Sequence, residues 1–298
     1  MLNIKKTCLT VAVLLVLPAA LLAQAPDQAA PAAKLNPHME SHIGTLVGHS
    51  EDGAKLYYRY CWGCHGARGN GDGENAPWVT PTPRNFDAAV FKCRSTATGY
   101  LPTDEDLYNS IYRGFVTSNM PSWKALTSQN RADLVAFIKT FSARWVTERP
   151  GEPINVPPEP KLTIEGIKHG HQLFQKLECW KCHGEAGRGD GPSASTLTDS
   201  NDQPIKPYNF YTGYRFKCGT TNHDLYKIFM TGVDGTPMPS FADVIKPEEA
   251  WDLVHYLRTL QIWHPSPELA LWESTPEGKA IVEAKRVRNT FTASGIHP

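Results

Sequence analysis

Neither sign of charge is in excess: 30 Lys and Arg stand against 30 Asp and Glu over 298 residues. No basic cluster and no long run of like charge breaks that balance, which argues against nucleic acid as a partner and against a charged tail. Long apolar runs are equally scarce. The main one, Leu9 to Leu17, is broken at Pro18 and falls short of the ~18–20 residues a spanning helix needs. Its flanks match a secretory signal instead, with Lys5 and Lys6 before it and Ala23-Gln24-Ala25 after it as a small-x-small cleavage site. This predicts a cleaved signal peptide over residues 1–25, export to the periplasm, and a mature chain with a net charge near −2 and no membrane span. A lipid anchor would need a cysteine just after the apolar core, whereas Cys8 precedes it.

Cysteine and methionine are also rare, at seven and five residues, but six of the seven cysteines fall into corresponding pairs. Tyr60-Cys-Trp-Gly-Cys-His-Gly66 recurs as Glu178-Cys-Trp-Lys-Cys-His-Gly184. Each copy continues with a glycine-rich loop (Gly69 to Gly73, Gly187 to Gly191), then Asn-Phe (Asn85-Phe86, Asn209-Phe210) and Phe-Lys-Cys (Phe91 to Cys93, Phe216 to Cys218). Asp-Leu-Tyr (from Asp106 and Asp224) and Met-Pro-Ser (from Met120 and Met238) complete the pattern. Such self-similarity marks a duplicated unit. His65 to Met120 and His183 to Met238 both span 55 residues, but the second copy is seven longer before Phe-Lys-Cys and seven shorter after it.

The repeat divides the chain into a mobile Pro- and Ala-rich lead-in (26–49), a first domain (50–147), a Pro-rich extended linker (148–161), a second domain (162–262) and a C-terminal tail (263–298). Gly278 to Val287 in the tail could form a short amphipathic helix. Helical spacing leads into each Cys pair (Gly53, Leu56, Tyr57, Tyr60; Gly170, Leu173, Phe174, Leu177) and closes each copy (131–141, 248–260). A glycine on the first helix facing aromatics on the last would let the two cross closely, giving a small all-α unit.

Cys-x-x-Cys-His is the attachment signature of c-type haem. Two thiols at a helix start, Cys61 and Cys64 or Cys179 and Cys182, can form thioethers with the two vinyl groups of one porphyrin, and His65 or His183 then faces the iron. A dithiol redox pair should follow a strand in an alternating strand–helix pattern, which is missing, and zinc would want further Cys or His pairs that are not grouped here. On these motifs the chain resembles the class I cytochromes c in a tandem, dihaem arrangement, over about residues 50–142 and 166–262.

That resemblance implies two all-α domains, each around one covalent haem c, with Met120 and Met238 closing the sixth iron position. A thioether favours ferrous iron and raises the potential relative to a second histidine. The competing reading of each methionine is simple core packing. Gly53 precedes Cys61 by eight residues but Gly170 precedes Cys179 by nine, so packing there should be adjusted. Trp123 and Phe241 are haem-edge or core aromatics. Arg84 and Arg94 could pair with propionates, a solvated surface position being the default.

Cys93 and Cys218 occupy equivalent positions outside the haem motifs, and three readings stand: an inter-domain disulfide, free thiols, or a redox or iron-ligating role. The expected function is single-electron transfer through two His/Met-ligated haems, with no catalytic residue. The chain would act as a free shuttle or as the cytochrome subunit of a periplasmic oxidoreductase or membrane respiratory complex, with protein redox donors and acceptors. The alternative is a dihaem enzyme of the peroxidase or thiosulfate-oxidising type, with one open or cysteine-influenced iron.

Overall fold

Each repeat folds into the same set of helices, and the shared motifs explain where they begin. The computed structural model describes residues 38–115, 118–211, 216–261 and 267–283; the expected signal peptide and the end of the tail lie outside them. Helices α1 (Ser50–Tyr60) and α6 (Ile164–Lys176) lead into the Cys pairs, and the one-turn helices α2 (Trp62–His65) and α7 (Trp180–His183) carry them. The middle helices are α3 (Asp104–Arg113) and α8 (Asn222–Thr231), and the closing ones are α4 (Ser128–Lys139) and α9 (Pro247–Thr259). Short α5 (Arg144–Thr147) follows α4, and α10 (Pro267–Glu273) follows α9. The Asp-Leu-Tyr motif starts the middle helices, because Asp106 and Asp224 are the third residues of capping boxes with Thr103 and Thr221.

The expected crossing of first and last helix is present in both repeats. A side chain at Gly53 would lie 2.0 Å from the Asp133 carbonyl oxygen and 2.8 Å from Cβ of Phe137, and one at Gly170 would lie 2.1 Å from the Asp252 carbonyl and 2.8 Å from Cβ of Tyr256. Around these contacts Tyr57, Leu134, Phe137 and Phe141 form one core, and Phe174, Leu253, Tyr256 and Leu257 the other. The extra residue before Cys179 is absorbed locally. Cys61 N–H donates to Tyr57 four residues back at 2.8 Å, whereas Cys179 N–H donates to Phe174 five residues back at 3.0 Å, with Glu178 at a positive φ of 57°.

The lead-in is shorter than the sequence predicts. β1 (Glu40–Ile43) and β2 (Leu46–His49) pair antiparallel, with Glu40 opposite His49. The hairpin is fastened to α4: buried Ser41 donates to the Ala132 carbonyl at 2.7 Å, and Lys139 Nζ donates to the Glu40 carbonyl at 2.7 Å and to Asp104 at 2.8 Å. Four-residue strands whose one buried residue is Ser41 or Gly48 show no apolar alternation, so pattern reading misses them. The Pro-rich linker is docked on both repeats. Thr96 bridges Pro153, Ile154 N–H donates to Ser95 at 2.7 Å, and Ile154 and Val156 pack on the second core. Part of the expected tail belongs to that core too, through buried Trp272 and Ile281, and residues 276–283 are helical.

Cys93 and Cys218 are joined by a disulfide with Cα atoms 5.1 Å apart, linking the two Phe-Lys-Cys motifs across a sequence separation of 125 residues. Arg94 corrects the expectation of a solvated cation: its side chain is buried against Thr231 and Asp234 of the second repeat. No helix among the described residues is long and apolar enough to cross a membrane.

Two stability outcomes follow from these contacts. Gly53→Ala and Gly170→Ala should each lower unfolding free energy by about 1–3 kcal/mol through overpacking, read as an earlier denaturant midpoint of the holoprotein. Cys93→Ser with Cys218→Ser should cost about 2–4 kcal/mol, the usual contribution of a disulfide closing a long loop, measured the same way.

Candidate functional site

A histidine can bind iron only through a ring nitrogen that keeps its lone pair, and the backbone decides which one that is. His65 Nδ1 lies 3.1 Å from the Arg84 carbonyl oxygen, and His183 Nδ1 lies 3.1 Å from that of Tyr208. A carbonyl only accepts, so in each ring Nδ1 carries the proton and Nε2 is left as the donor atom for a metal. Burial holds both imidazoles below the usual histidine range, which keeps them neutral as ligation requires. Phe86 stacks on His65 with centroids 4.5 Å apart, and Phe210 lies 4.8 Å from His183. Phe86 and Phe210 carry no ligand chemistry that would mark them as site residues, and the repeated Asn-Phe pair is their one signal in the chain.

The glycine-rich loop ties these pieces together. Gly71 N–H donates to the His65 carbonyl and Gly73 N–H to that of Cys64, at 2.9 and 3.2 Å; Gly189 and Gly191 repeat this on His183 and Cys182 at 2.8 and 3.1 Å. Phe86 N–H then donates to Gly69 and Phe210 N–H to Gly187. Gly71 and Gly189 have positive φ, and a Cβ at either would stand 2.6 Å from the carbonyl of Pro83 or Pro207. Glycine is therefore required for the loop to reach the segment that orients the histidine.

Cys61, Cys64, Cys179 and Cys182 are half-buried, and none of them is in a disulfide. Burial pushes the Cys61 and Cys179 thiols up to about 12. A dithiol redox pair needs the opposite, a thiol depressed toward the thiolate. No three His, Cys, Asp or Glu groups among the described residues converge to hold a bare ion. The donor set suits a group that brings its own equatorial ligands, and a covalent haem fits it: two thiols for the vinyl groups and one neutral imidazole for the iron.

The methionine segments are also built alike. Gly114 ends α3 and Gly232 ends α8, both at positive φ, and a Cβ there would stand 2.4 Å from Pro121 or 2.7 Å from Pro239. Phe115 N–H donates to the Met120 carbonyl and Val233 N–H to that of Met238, each at 3.0 Å. Ser118 Oγ and Thr236 Oγ1 accept from the Met120 and Met238 N–H groups, each at 3.2 Å. Both methionines are half-buried, and Met238 packs on the second core, as do Tyr208 and Phe241. Trp123 packs on the first core, its ring 5.4 Å from Tyr60, and its buried Nε1 has no protein partner.

Arg84, Lys92 and Lys217 gather near the inter-domain disulfide with Asp199 as an opposing charge. Burial lowers all three, and mutual repulsion lowers the two lysines further, taking Lys92 to about 8. This cluster joins both repeats and is short of negative charge.

The cytochrome c family model matches residues 50–142 and 167–261. No curated protein matches the chain. Among solved structures, a chain of the Kuenenia stuttgartiensis reducing HAO-like protein complex Kustc0457/Kustc0458 is 44% identical, with a TM-score of 0.69. That alignment covers 71% of this chain and 96% of the other.

One outcome tests how tightly Phe86 packs on His65. Phe86→Ala removes the ring stacked on His65 and should cost about 3–5 kcal/mol as a large-to-small core change, while Phe86→Leu should cost clearly less; denaturant unfolding of the two holoproteins makes the comparison.

Proposed function

Because the chain belongs to the cytochrome c family and carries two covalent haem c groups, on Cys61/Cys64 and Cys179/Cys182, we propose that it transfers single electrons in the periplasm through two irons ligated by His65 with Met120 and His183 with Met238. The observation that carries this reading is the duplicated construction of both ligand sets. Each histidine has Nδ1 tied to a carbonyl, and each methionine sits in a loop closed by the same pair of hydrogen bonds. When bound, each group supplies a ferric/ferrous couple.

The protein's own work is to hold the ligands and exclude water. His65 and His183 keep Nε2 available, the helix cores shield one side, and the methionine loops supply soft thioethers, which favour the ferrous state. Arg84, Lys92 and Lys217 are suited to pairing with propionates, which would provide the negative charge the cluster lacks. Both methionine loops have the same form, which favours a carrier over an enzyme that keeps one iron open.

The 44% identity to a chain of a reducing HAO-like protein complex, over 96% of that chain, supports the subunit reading over the free shuttle. Here the chain would be the cytochrome subunit of a larger periplasmic oxidoreductase, passing electrons between that enzyme and a second redox protein.

In the ferric holoprotein, Met120→Ala and Met238→Ala should each remove about half of the weak far-red band given by thioether-bound iron, and should lower one of the two reduction potentials. Unchanged intensity in either variant would remove that methionine from the ligand set. Size-exclusion of the protein isolated from its source in mild salt should show it migrating with an oxidoreductase; migration at the mass of a single chain would favour the shuttle.

A further inference from the structure

The two methionine loops are built alike but held differently, and the difference begins with chain length. The first repeat has seven more residues between Cys93 and its middle helix than the second has after Cys218. The longer segment meets the other repeat at Arg94, Thr98 and Gly99. Arg94, with a side chain 0% exposed, donates from Nη1 and Nη2 to the Thr231 carbonyl at 3.0 and 2.7 Å, and from Nη2 to Asp234 at 2.5 Å. Thr98 Oγ1 donates to the same carbonyl at 2.9 Å, and Gly99 N–H reaches Asp234 at 3.4 Å.

Thr231 is the last residue of α8, and the loop to Met238 begins there. Gly232 turns the chain at a φ of 68°, and Val233 N–H closes the loop onto the Met238 carbonyl. Arg94 therefore grips both the helix end and the loop itself. A guanidinium at a helix C-terminus is favoured by the helix dipole, and removing one partner of a desolvated, hydrogen-bonded ion pair is strongly destabilising. The second repeat's own insertion adds to the grip, because Ser200 N–H donates to the Gly235 carbonyl at 3.1 Å. The residue equivalent to Arg94 in the second repeat is Gly219, which has no side chain to return the contact.

We propose that Arg94 and Asp234 are positioning residues for the axial ligand Met238, so that the second iron retains its thioether under conditions in which the first gives it up. The two haems are then inequivalent by construction, and the inequivalence is imposed by the first repeat on the second. This rests on the reading of Met120 and Met238 as ligands.

The test uses full-length ferric holoprotein in two backgrounds. Met120→Ala leaves only the far-red band of the second haem, and Met238→Ala only that of the first. On raising pH, the band surviving in Met120→Ala should persist to higher pH than the one surviving in Met238→Ala. Adding Asp234→Asn should lower the midpoint of band loss by about one pH unit, a tenfold change in the ligand-exchange equilibrium, in the Met120→Ala background and leave it unmoved in the other. Arg94→Gln should act like Asp234→Asn, and Arg94→Lys should restore part of the shift. If Arg94→Gln does not accumulate as holoprotein, Asp234→Asn carries the test alone. Equal shifts in both backgrounds, or none in the Met120→Ala background, would overturn the proposal. Full band intensity in Met238→Ala before any second change would instead overturn the ligand reading beneath it.

Discussion

Backbone touches backbone where α1 crosses α4 and where α6 crosses α9, and everything in each domain is placed by that contact. The missing side chains of Gly53 and Gly170 allow the carbonyls of Asp133 and Asp252 to approach to a distance no Cβ would tolerate. Once the helices are locked at that point, the end of the first helix has one place to go. It delivers the two cysteines and the histidine to the core, where Phe86 or Phe210 lies against the imidazole, and the glycine-rich loop that follows must fold back within the space left. Its N–H groups then satisfy the carbonyls at the end of the haem-attachment turn, which would otherwise be unpaired.

The same economy orients the histidines. Neither imidazole is held by a carboxylate. A backbone carbonyl does the work in both repeats, and it reaches the ring because Gly71 or Gly189 allows the loop to pass close to the Pro83 or Pro207 segment. The extra residue before Cys179 leaves this geometry unchanged, since it is taken up in a wider turn upstream. Duplication has thus preserved the contacts that present ligands and varied the segments that do not.

Those varied segments are where the two domains meet. The disulfide joins equivalent residues, as expected of an interface near a pseudo-twofold relation. The contacts beside it are not symmetric. Seven residues added on opposite sides of Phe-Lys-Cys in the two copies cancel in the total spacing from His to Met, yet they place Arg94 and Thr98 of the first repeat on the methionine loop of the second. A pair of identical redox domains becomes an ordered pair through an insertion that leaves the motif spacing intact.

The tandem arrangement, the haem-attachment residues, the main helices and the helix crossing were legible in the chain because each shows in repeated motifs and short spacings: thiols three positions apart, glycine eight or nine positions before cysteine, and about 3.6 residues per helical turn. The hairpin at 40–49, the docked linker and the contribution of Trp272 to the second core were not, since short strands and proline-rich segments carry no periodic signal and gain their order only from the surface they meet. The carbonyls that set the histidine tautomers lie 19 and 25 residues from their rings, and every backbone has carbonyls, so no residue type announces them. Arg94 makes the same point: a lone arginine after a cysteine reads as a surface charge, and only the approach of the second repeat, which brings Thr231 and Asp234 against it, turns it into a buried clamp.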